Sequence, residues 1–224
     1  MHMSFSLNRQ AIRSVTHDVI AHFRPANFIR KLYYEPKRPL AKLFVNIMAN
    51  EILKNRPPYG HINDAVSFAF NYRSKLFRVF KVFPYKSEFA PFTIIPAQIP
   101  YEILALLEIL AKLRPQRILE IGTERGGTLF LWTYVAAKNA TIISIDVPPE
   151  CFLFSYSYPY WKEDLYRSFS FFNQKIYPIR GFSQQPSTLK KVMNILATGK
   201  LDFLFIDGDH TYEGLRRTSK CTFL

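Results

Sequence analysis

The sequence has few of the residues that mark secreted, disulfide-stapled or membrane-spanning proteins. Only two of its 224 residues are cysteines, Cys151 and Cys221, and they form neither a disulfide framework nor a zinc-binding spacing. No apolar run reaches the roughly 18 residues that a membrane span needs. The N-terminus lacks the uninterrupted apolar core of a secretory signal. These absences predict a cytoplasmic protein without a transmembrane segment.

Acidic residues are also scarce, and the deficit is uneven. The chain has 17 Asp and Glu against 30 Lys and Arg, a net charge of +13, and +10 of that lies in residues 1–114. A basic half favours an anionic partner such as nucleic acid, anionic lipid or a phosphorylated substrate, and the alternative is an ordinary solvated surface. Because no nucleic-acid-binding motif is present, we predict at most a weak contact between an anionic surface and the basic N-terminal region.

Aromatic residues are abundant instead, with 21 Phe and 13 Tyr, and many lie in the first 90 residues. We predict that residues 1–90 form a basic, aromatic-rich helical extension with helices over 43–53 and 65–80, the second capped by Asn63-Asp64. That second helix has basic and aromatic residues at helical spacing. Such a face packs on its own domain or lies on an anionic membrane surface. The proline-punctuated stretch 91–100 is the predicted domain boundary, and residues 91–224 form the second domain.

In that second domain, short apolar runs alternate with helical patterns. This alternation predicts an α/β fold with a parallel sheet. The predicted strands cover residues 118–121, 140–146, 175–179 and 201–206, and the predicted helices cover 101–113, a stretch ending near 138, one starting near Trp161 and one capped at Ser187.

The first of these strands leads into a glycine-containing turn. Glu120 is followed by Gly122, Gly126 and Gly127, a spacing that differs from the G-x-G-x-x-G dinucleotide fingerprint. Glycines at such a turn permit positive φ and close approach of a ligand, and the following helix presents free N–H groups to an anion. Asp146 ends the next strand about 20 residues later, where a carboxylate can accept hydrogen bonds from ribose hydroxyls.

These pieces together resemble a known family. The strings LEIGTERGG, SIDVPP and FIDGDHTYEG, with the turn at Gly181, are similar to class I S-adenosylmethionine-dependent methyltransferases. The branch in question includes small-molecule and sugar O-methyltransferases and cephalosporin-hydroxylase-like proteins. The resemblance implies a Rossmann-like sheet, S-adenosylmethionine as cofactor and methyl transfer to an oxygen of a small molecule or sugar.

The resemblance also implies roles for individual residues. Phe182 stands where the family often has an acidic residue near the adenine, which is a departure from the pattern. Asp207 matches the first Mg²⁺ ligand of metal-dependent members, and His210 stands where a general base is found. Alternatively, Asp207 and Asp209 bind backbone amides in their own turn, and His210 orients it. The implied cofactor-binding residues are Glu120, Gly122, Thr123, Gly126, Gly127, Asp146 and Ser183.

The end of the chain is the largest departure from the family. Relatives continue past HTYEG with a helix and further strands, whereas this sequence ends at Leu224. We therefore expect a sheet truncated after its fourth strand, able to bind cofactor without turnover. Two alternatives to an active methyltransferase are a non-catalytic remnant that keeps part of the cofactor pocket and a peripheral protein that binds an anionic surface.

Overall fold

The computed structural model describes residues 39–76, 92–149, 158–214 and 216. These ranges leave out both cysteines, most of the basic N-terminal region and the end of the helix predicted over 65–80. The predicted contact with an anionic surface therefore stays a prediction. Within the described ranges, no helix has the length and apolar character required to cross a membrane.

The described part contains six helices and four strands that alternate from α3 onward. The helices are α1 (Pro39–Asn55), α2 (Ile62–Asn71), α3 (Pro100–Leu113), α4 (Gly127–Val135), α5 (Lys162–Arg167) and α6 (Pro186–Leu196). The strands are β1 (Arg117–Ile121), β2 (Thr141–Asp146), β3 (Lys175–Arg180) and β4 (Phe203–Ile206).

The four strands form one parallel sheet in the order β3-β2-β1-β4. Runs of Ile and Leu make β1 and β2 apolar on both faces, as expected for interior strands of a sheet covered by helices. The chain builds outward from β1 to β3 and then returns to the other side of β1 for β4. The Rossmann-like α/β prediction is thus confirmed, and the strand order reverses between β1 and β4, the point where open α/β sheets bind ligands.

Apolar cores lie on both faces of the sheet. The larger one joins Ile118 and Ile142 to α2, α4 and α5, and the smaller one joins Leu119 and Ile143 to α6. Successive residues of a strand face opposite sides, so neighbouring positions enter different cores.

Helices α1 and α2 belong to the larger core. Phe44 of α1 packs edge-on against Trp161, with ring centroids 5.9 Å apart, and Phe68 of α2 lies 5.6 Å from Phe130 of α4. The domain boundary at 91–100 stays a prediction, and helices from both sides of it share this core.

Two helix ends differ from the predictions. Helix α2 ends at Asn71, because Tyr72 turns extended and Arg73 forms an antiparallel bridge with Thr93. Its N-cap is His61, so the predicted cap, Asn63-Asp64, lies inside the helix. Helix α6 likewise begins at Pro186, one residue before the predicted Ser187 cap, since proline suits a first turn where no N–H partner is required.

Candidate active site at the carboxyl edge of the sheet

The glycine turn after β1 is held against three other parts of the protein. Gly122 has φ +98°, and a Cβ there would overlap the main chain of Asp207 at the end of β4. Gly126 has φ +82°, and a Cβ there would overlap the ring of Tyr166. A Cβ on Gly127 would overlap the backbone of residues 94–96. The three predicted glycines therefore permit close packing of the protein on itself at the edge where a ligand is expected.

Glu120 lies on β1 and is completely buried. Its carboxylate accepts hydrogen bonds from Trp132 Nε1 at 2.8 Å and Ser144 Oγ at 2.5 Å, and a further one from the Thr128 side chain. Burial raises the pKa of Glu120 to about 7, and these donors act in the opposite direction. The residue thus ties β1 to α4 and β2 and supports the turn from below.

Thr123 belongs to the same hydrogen-bonded group. Its Oγ1 lies 2.5 Å from Ser144 Oγ, so Ser144 connects the turn to the Glu120 carboxylate. The sequence contained no signal for Ser144 beyond its place in an apolar strand. Its role depends on the β1–β2 register, in which it lies directly opposite Glu120.

Asp146 ends β2 with a side chain that is almost fully buried. Its Oδ2 accepts a hydrogen bond from the Glu124 N–H at 3.1 Å, and its Oδ1 accepts one from the Val147 N–H at 2.8 Å. Burial raises the pKa of Asp146 to about 7, and the charge of Arg180 opposes this rise. A carboxylate has about four lone-pair sites, so the two bonds leave capacity for further donors.

Lys162 is a third buried ionisable group beside the turn, and sequence reasoning missed it. Its Nζ donates to the carbonyl oxygens of Thr93 at 2.7 Å and Arg125 at 3.3 Å. Burial lowers the pKa of Lys162 to about 7. This side chain fastens the segment 92–98 and the glycine turn to the start of α5.

The end of β4 is more open. Asp207 accepts a hydrogen bond from Gln98 Nε2, and its Oδ1 lies 3.8 Å from His210 Nε2. The side chain of Asp207 is 29% exposed and that of His210 is 79% exposed. Asp209 accepts a bond from the Thr211 N–H at 2.9 Å, and this bond lowers its pKa. For Asp209, the alternative role within its own turn is therefore observed.

The described residues contain no group of three or more His, Cys, Asp or Glu side chains able to hold a metal ion. Asp207 has His210 and Gln98 beside it, which is fewer oxygen ligands than Mg²⁺ normally takes from a protein and its waters. The predicted magnesium site thus has one candidate ligand in the structure.

The structure brings most of the predicted residues to one edge. The ends of β1 and β2 are adjacent, and Gly122 contacts Asp207 at the end of β4 across the point where the strand order reverses. Ser183 lies in the turn after β3, beyond Gly181, whose N–H donates to the Asp146 carbonyl at 3.0 Å. The arrangement presents two buried carboxylates and a glycine turn on one side of the reversal point, and an exposed Asp-His pair on the other.

A family model described as a methyltransferase domain matches residues 119–222. No curated protein sequence matches the chain.

Two solved structures similar to this chain are an O-methyltransferase from Bacillus cereus in complex with SAH and the SAH-bound methyltransferase PaMTH1 from Podospora anserina. The first is 12% identical, with a TM-score of 0.42, and the match covers 81% of this chain and 70% of that one. The second is 14% identical, with a TM-score of 0.44, and the match covers 83% of this chain and 65% of that one. The chain thus spans about two thirds of their length.

Proposed function

We propose that the chain binds S-adenosylmethionine and transfers its methyl group to an oxygen of a small molecule or sugar. The proposal starts from the match of residues 119–222 to a family model described as a methyltransferase domain. The observation that carries the proposal is the place of that match in the fold. It begins on β1 and includes the glycine turn, Asp146 and the end of β4, where the strand order reverses.

The chemistry of the residues at this edge fits such a cofactor. Asp146 lies at the end of β2 with acceptor capacity left over, as ribose hydroxyls require. Gly122, Thr123, Gly126 and Gly127 form the turn that would hold the methionine part, with Glu120 supporting it. Ser183, after β3, would border the adenine.

When bound, the sulfonium supplies an electrophilic methyl carbon, and the protein's task is to orient an acceptor hydroxyl and remove its proton. His210 is the proposed general base, since an imidazole nitrogen can accept the proton of an acceptor hydroxyl. Asp207 Oδ1 lies 3.8 Å from His210 Nε2, where the carboxylate can orient the imidazole ring.

Calorimetry with SAH tests the binding half of the proposal. Wild-type protein is expected to bind, and Asp146→Ala is expected to weaken binding at least tenfold, about 1.4 kcal/mol. Asp164→Ala is the matched control, because that carboxylate is 72% exposed on α5 and pairs with Arg167. Equal binding by wild type and Asp146→Ala would contradict the site assignment.

Transfer of labelled methyl from S-adenosylmethionine to a panel of sugars and phenols tests the chemical half. Turnover that His210→Ala abolishes would support the base assignment. SAH binding without turnover on any acceptor would favour the non-catalytic alternative.

A further inference from the structure

Arg180 is a nearly buried cation next to Asp146. It is the last residue of β3 and pairs in register with Asp146 at the end of β2. Its side chain is 10% exposed. Placing a guanidinium out of water costs free energy unless its donors are satisfied, so its contacts indicate what it does.

The donors of Arg180 are used on the chain that follows β2. The guanidinium donates to the Val147 carbonyl at 2.9 Å, to the Tyr158 carbonyl at 2.6 Å and to Glu163 Oε1 at 3.2 Å. It also lies over the Tyr158 ring, 3.3 Å from the ring centroid. A planar fork that bonds and stacks at once fixes both partners in orientation. Arg180 thereby fastens residues 158–163 to the sheet beside Asp146.

Arg180 also acts on the pKa of Asp146, together with the other groups around that carboxyl. Burial raises the pKa of Asp146, Glu120 on β1 raises it further, and Arg180 on β3 lowers it. Tyr158 and Tyr166 also face Asp146, and burial holds the pKa of each well above its ordinary value, so both are neutral near pH 7.

The remaining charged groups near this edge have partners of their own. Glu163 accepts from Arg180, and Glu124 pairs with Arg125 at 2.8 Å in the glycine turn. Lys162 donates to main-chain carbonyls. Among the groups that act on the pKa of Asp146, Arg180 is thus the cation, and its charge favours the ionised carboxylate.

We propose that Arg180 is a positioning residue of the cofactor site, which favours the ionised form of the Asp146 carboxylate and holds residues 158–163 against it. This inference rests on the proposed function, because it is the ionised carboxylate that accepts two hydrogen bonds from ribose hydroxyls. Arg180 itself acts through Asp146 and needs no contact with the cofactor.

The first measurement uses the ligand-free protein, so it does not depend on cofactor binding. Carbon-13 NMR follows the Asp146 carboxyl carbon, assigned with Asp146→Asn, from pH 5 to 9 in wild type, Arg180→Gln and Glu163→Gln. Loss of an opposite charge raises the pKa of a carboxyl by about 1 or more. The midpoint of the Asp146 titration is therefore expected at a higher pH in Arg180→Gln than in wild type. Glu163 bonds Arg180 and is not among the groups that act on the pKa of Asp146, so the Glu163→Gln midpoint is expected close to that of wild type.

Arg180→Lys is the matched control. It keeps the positive charge and loses the planar fork and the ring stack. Its midpoint is expected close to that of wild type. An Arg180→Gln midpoint equal to that of wild type would overturn the inference. If Arg180→Gln does not fold, Arg180→Met, which also removes the charge, takes its place with the same expected result.

The second measurement is the affinity for SAH over the same pH range. Arg180→Gln is expected to bind about tenfold more weakly than wild type at pH 7 and within about threefold at pH 9, because the carboxylate is ionised again at high pH. A loss of equal size at every pH would show a purely structural role and overturn the inference. If wild type binds no SAH while the NMR midpoints move as expected, the proposed function fails and the electrostatic role of Arg180 stands.

Discussion

The two halves of the carboxyl edge are built differently. At the end of β2, Asp146 is 93% buried, with both oxygens bonded to main-chain N–H groups. At the end of β4, Asp207 is partly exposed, and its ion-pair partner His210 is almost fully in solvent. The first carboxylate is held by main-chain groups, whereas the second has the side chains of Gln98 and His210 beside it.

The sheet explains this difference. Strand β2 lies between β1 and β3, so its end is supported on both sides, whereas β4 has β1 as its one strand partner within the described residues. Side chains on interior strands lose little freedom when a ligand binds, and this preorganisation favours affinity. The binding half of the proposed site is therefore built on interior strands, and its chemical half lies at the edge of the described sheet. Four changes to the protein test this contrast.

The largest effect is expected at the glycine that joins the two halves. Gly122→Ala adds a Cβ that overlaps the Asp207 backbone, in addition to the cost of alanine at φ +98°. We expect a loss of roughly 2–5 kcal/mol in the free energy of unfolding, with SAH affinity reduced at least about tenfold. Urea denaturation and calorimetry measure both.

Gly60→Ala is the control for that substitution. Gly60 has a similar φ of +86°, but no atom lies within 4 Å of the added Cβ. Its loss in the free energy of unfolding therefore comes from the backbone conformation alone, about 1–2 kcal/mol. If both alanine variants lose the same free energy of unfolding, the packing of Gly122 against the end of β4 is not the reason that glycine is required there.

A smaller loss is expected where the buried half depends on a hydroxyl. Ser144→Ala removes a donor to Glu120 and the partner of Thr123 Oγ1. Leaving buried polar groups with fewer partners costs about 1–3 kcal/mol. Thr211→Ala removes an exposed hydroxyl after β4 that accepts a bond from the Gly214 N–H, and it is expected to cost less, about 0.5–1 kcal/mol, because water can replace that bond. Urea denaturation of both variants compares the halves directly, and similar losses would contradict the contrast.

The buried carboxylates should also make stability depend on pH. Glu120 and Asp146 have ordinary pKa values of 4.5 and 3.8, and in the folded chain burial raises the pKa of each to about 7. The folded state therefore binds more protons than the unfolded state between about pH 4.5 and 7. Stability is highest below that window and falls as pH rises through it, by on the order of 1 kcal/mol per pH unit per group.

Urea denaturation at pH 5, 6, 7 and 8 measures that slope. Glu120→Gln and Asp146→Asn remove one titrating group each, so each variant is expected to show a shallower fall than wild type. A fall of the same steepness in both variants would mean that other groups cause it.

The smallest effect on stability is expected at the exposed half. His210→Ala is expected to change the free energy of unfolding by less than about 0.5 kcal/mol and to leave SAH affinity within about twofold. Methyl transfer is expected to fall by about 10²–10⁴ if His210 is the base. His61→Ala is the matched control, since His61 is also exposed and lies 3.4 Å from an Asp three residues away. Large losses of stability in His210→Ala would show that the edge is more rigid than we infer.

Much of the fold could be read from local patterns. The apolar runs at 118–121 and 140–146 became β1 and β2 almost residue for residue, and the helix predicted over 101–113 became α3. The predicted end of α2 was wrong. Arg73 forms a bridge with Thr93, although the helical pattern of the sequence continues past Asn71. The methyltransferase resemblance was confirmed by the family match.

The roles of individual site residues were harder to predict from the sequence. Gly122 and Asp146 could be singled out because glycine and carboxylate at strand ends have few other uses. Arg180 and Lys162 could not, since a basic residue in a basic chain is usually on the surface. Only their burial and their contacts distinguish them.

The positions of strands and turns follow from local sequence, because periodicity and glycine placement act within a few residues. Which strands are neighbours depends on the folded chain as a whole, and this places Ser144 against Glu120 and Gly122 against Asp207. The folded chain also decides which charges leave water. Desolvation depends on every group packed around a side chain, including groups distant in sequence, and so the pKa values of Glu120 and Asp146 belong to the fold.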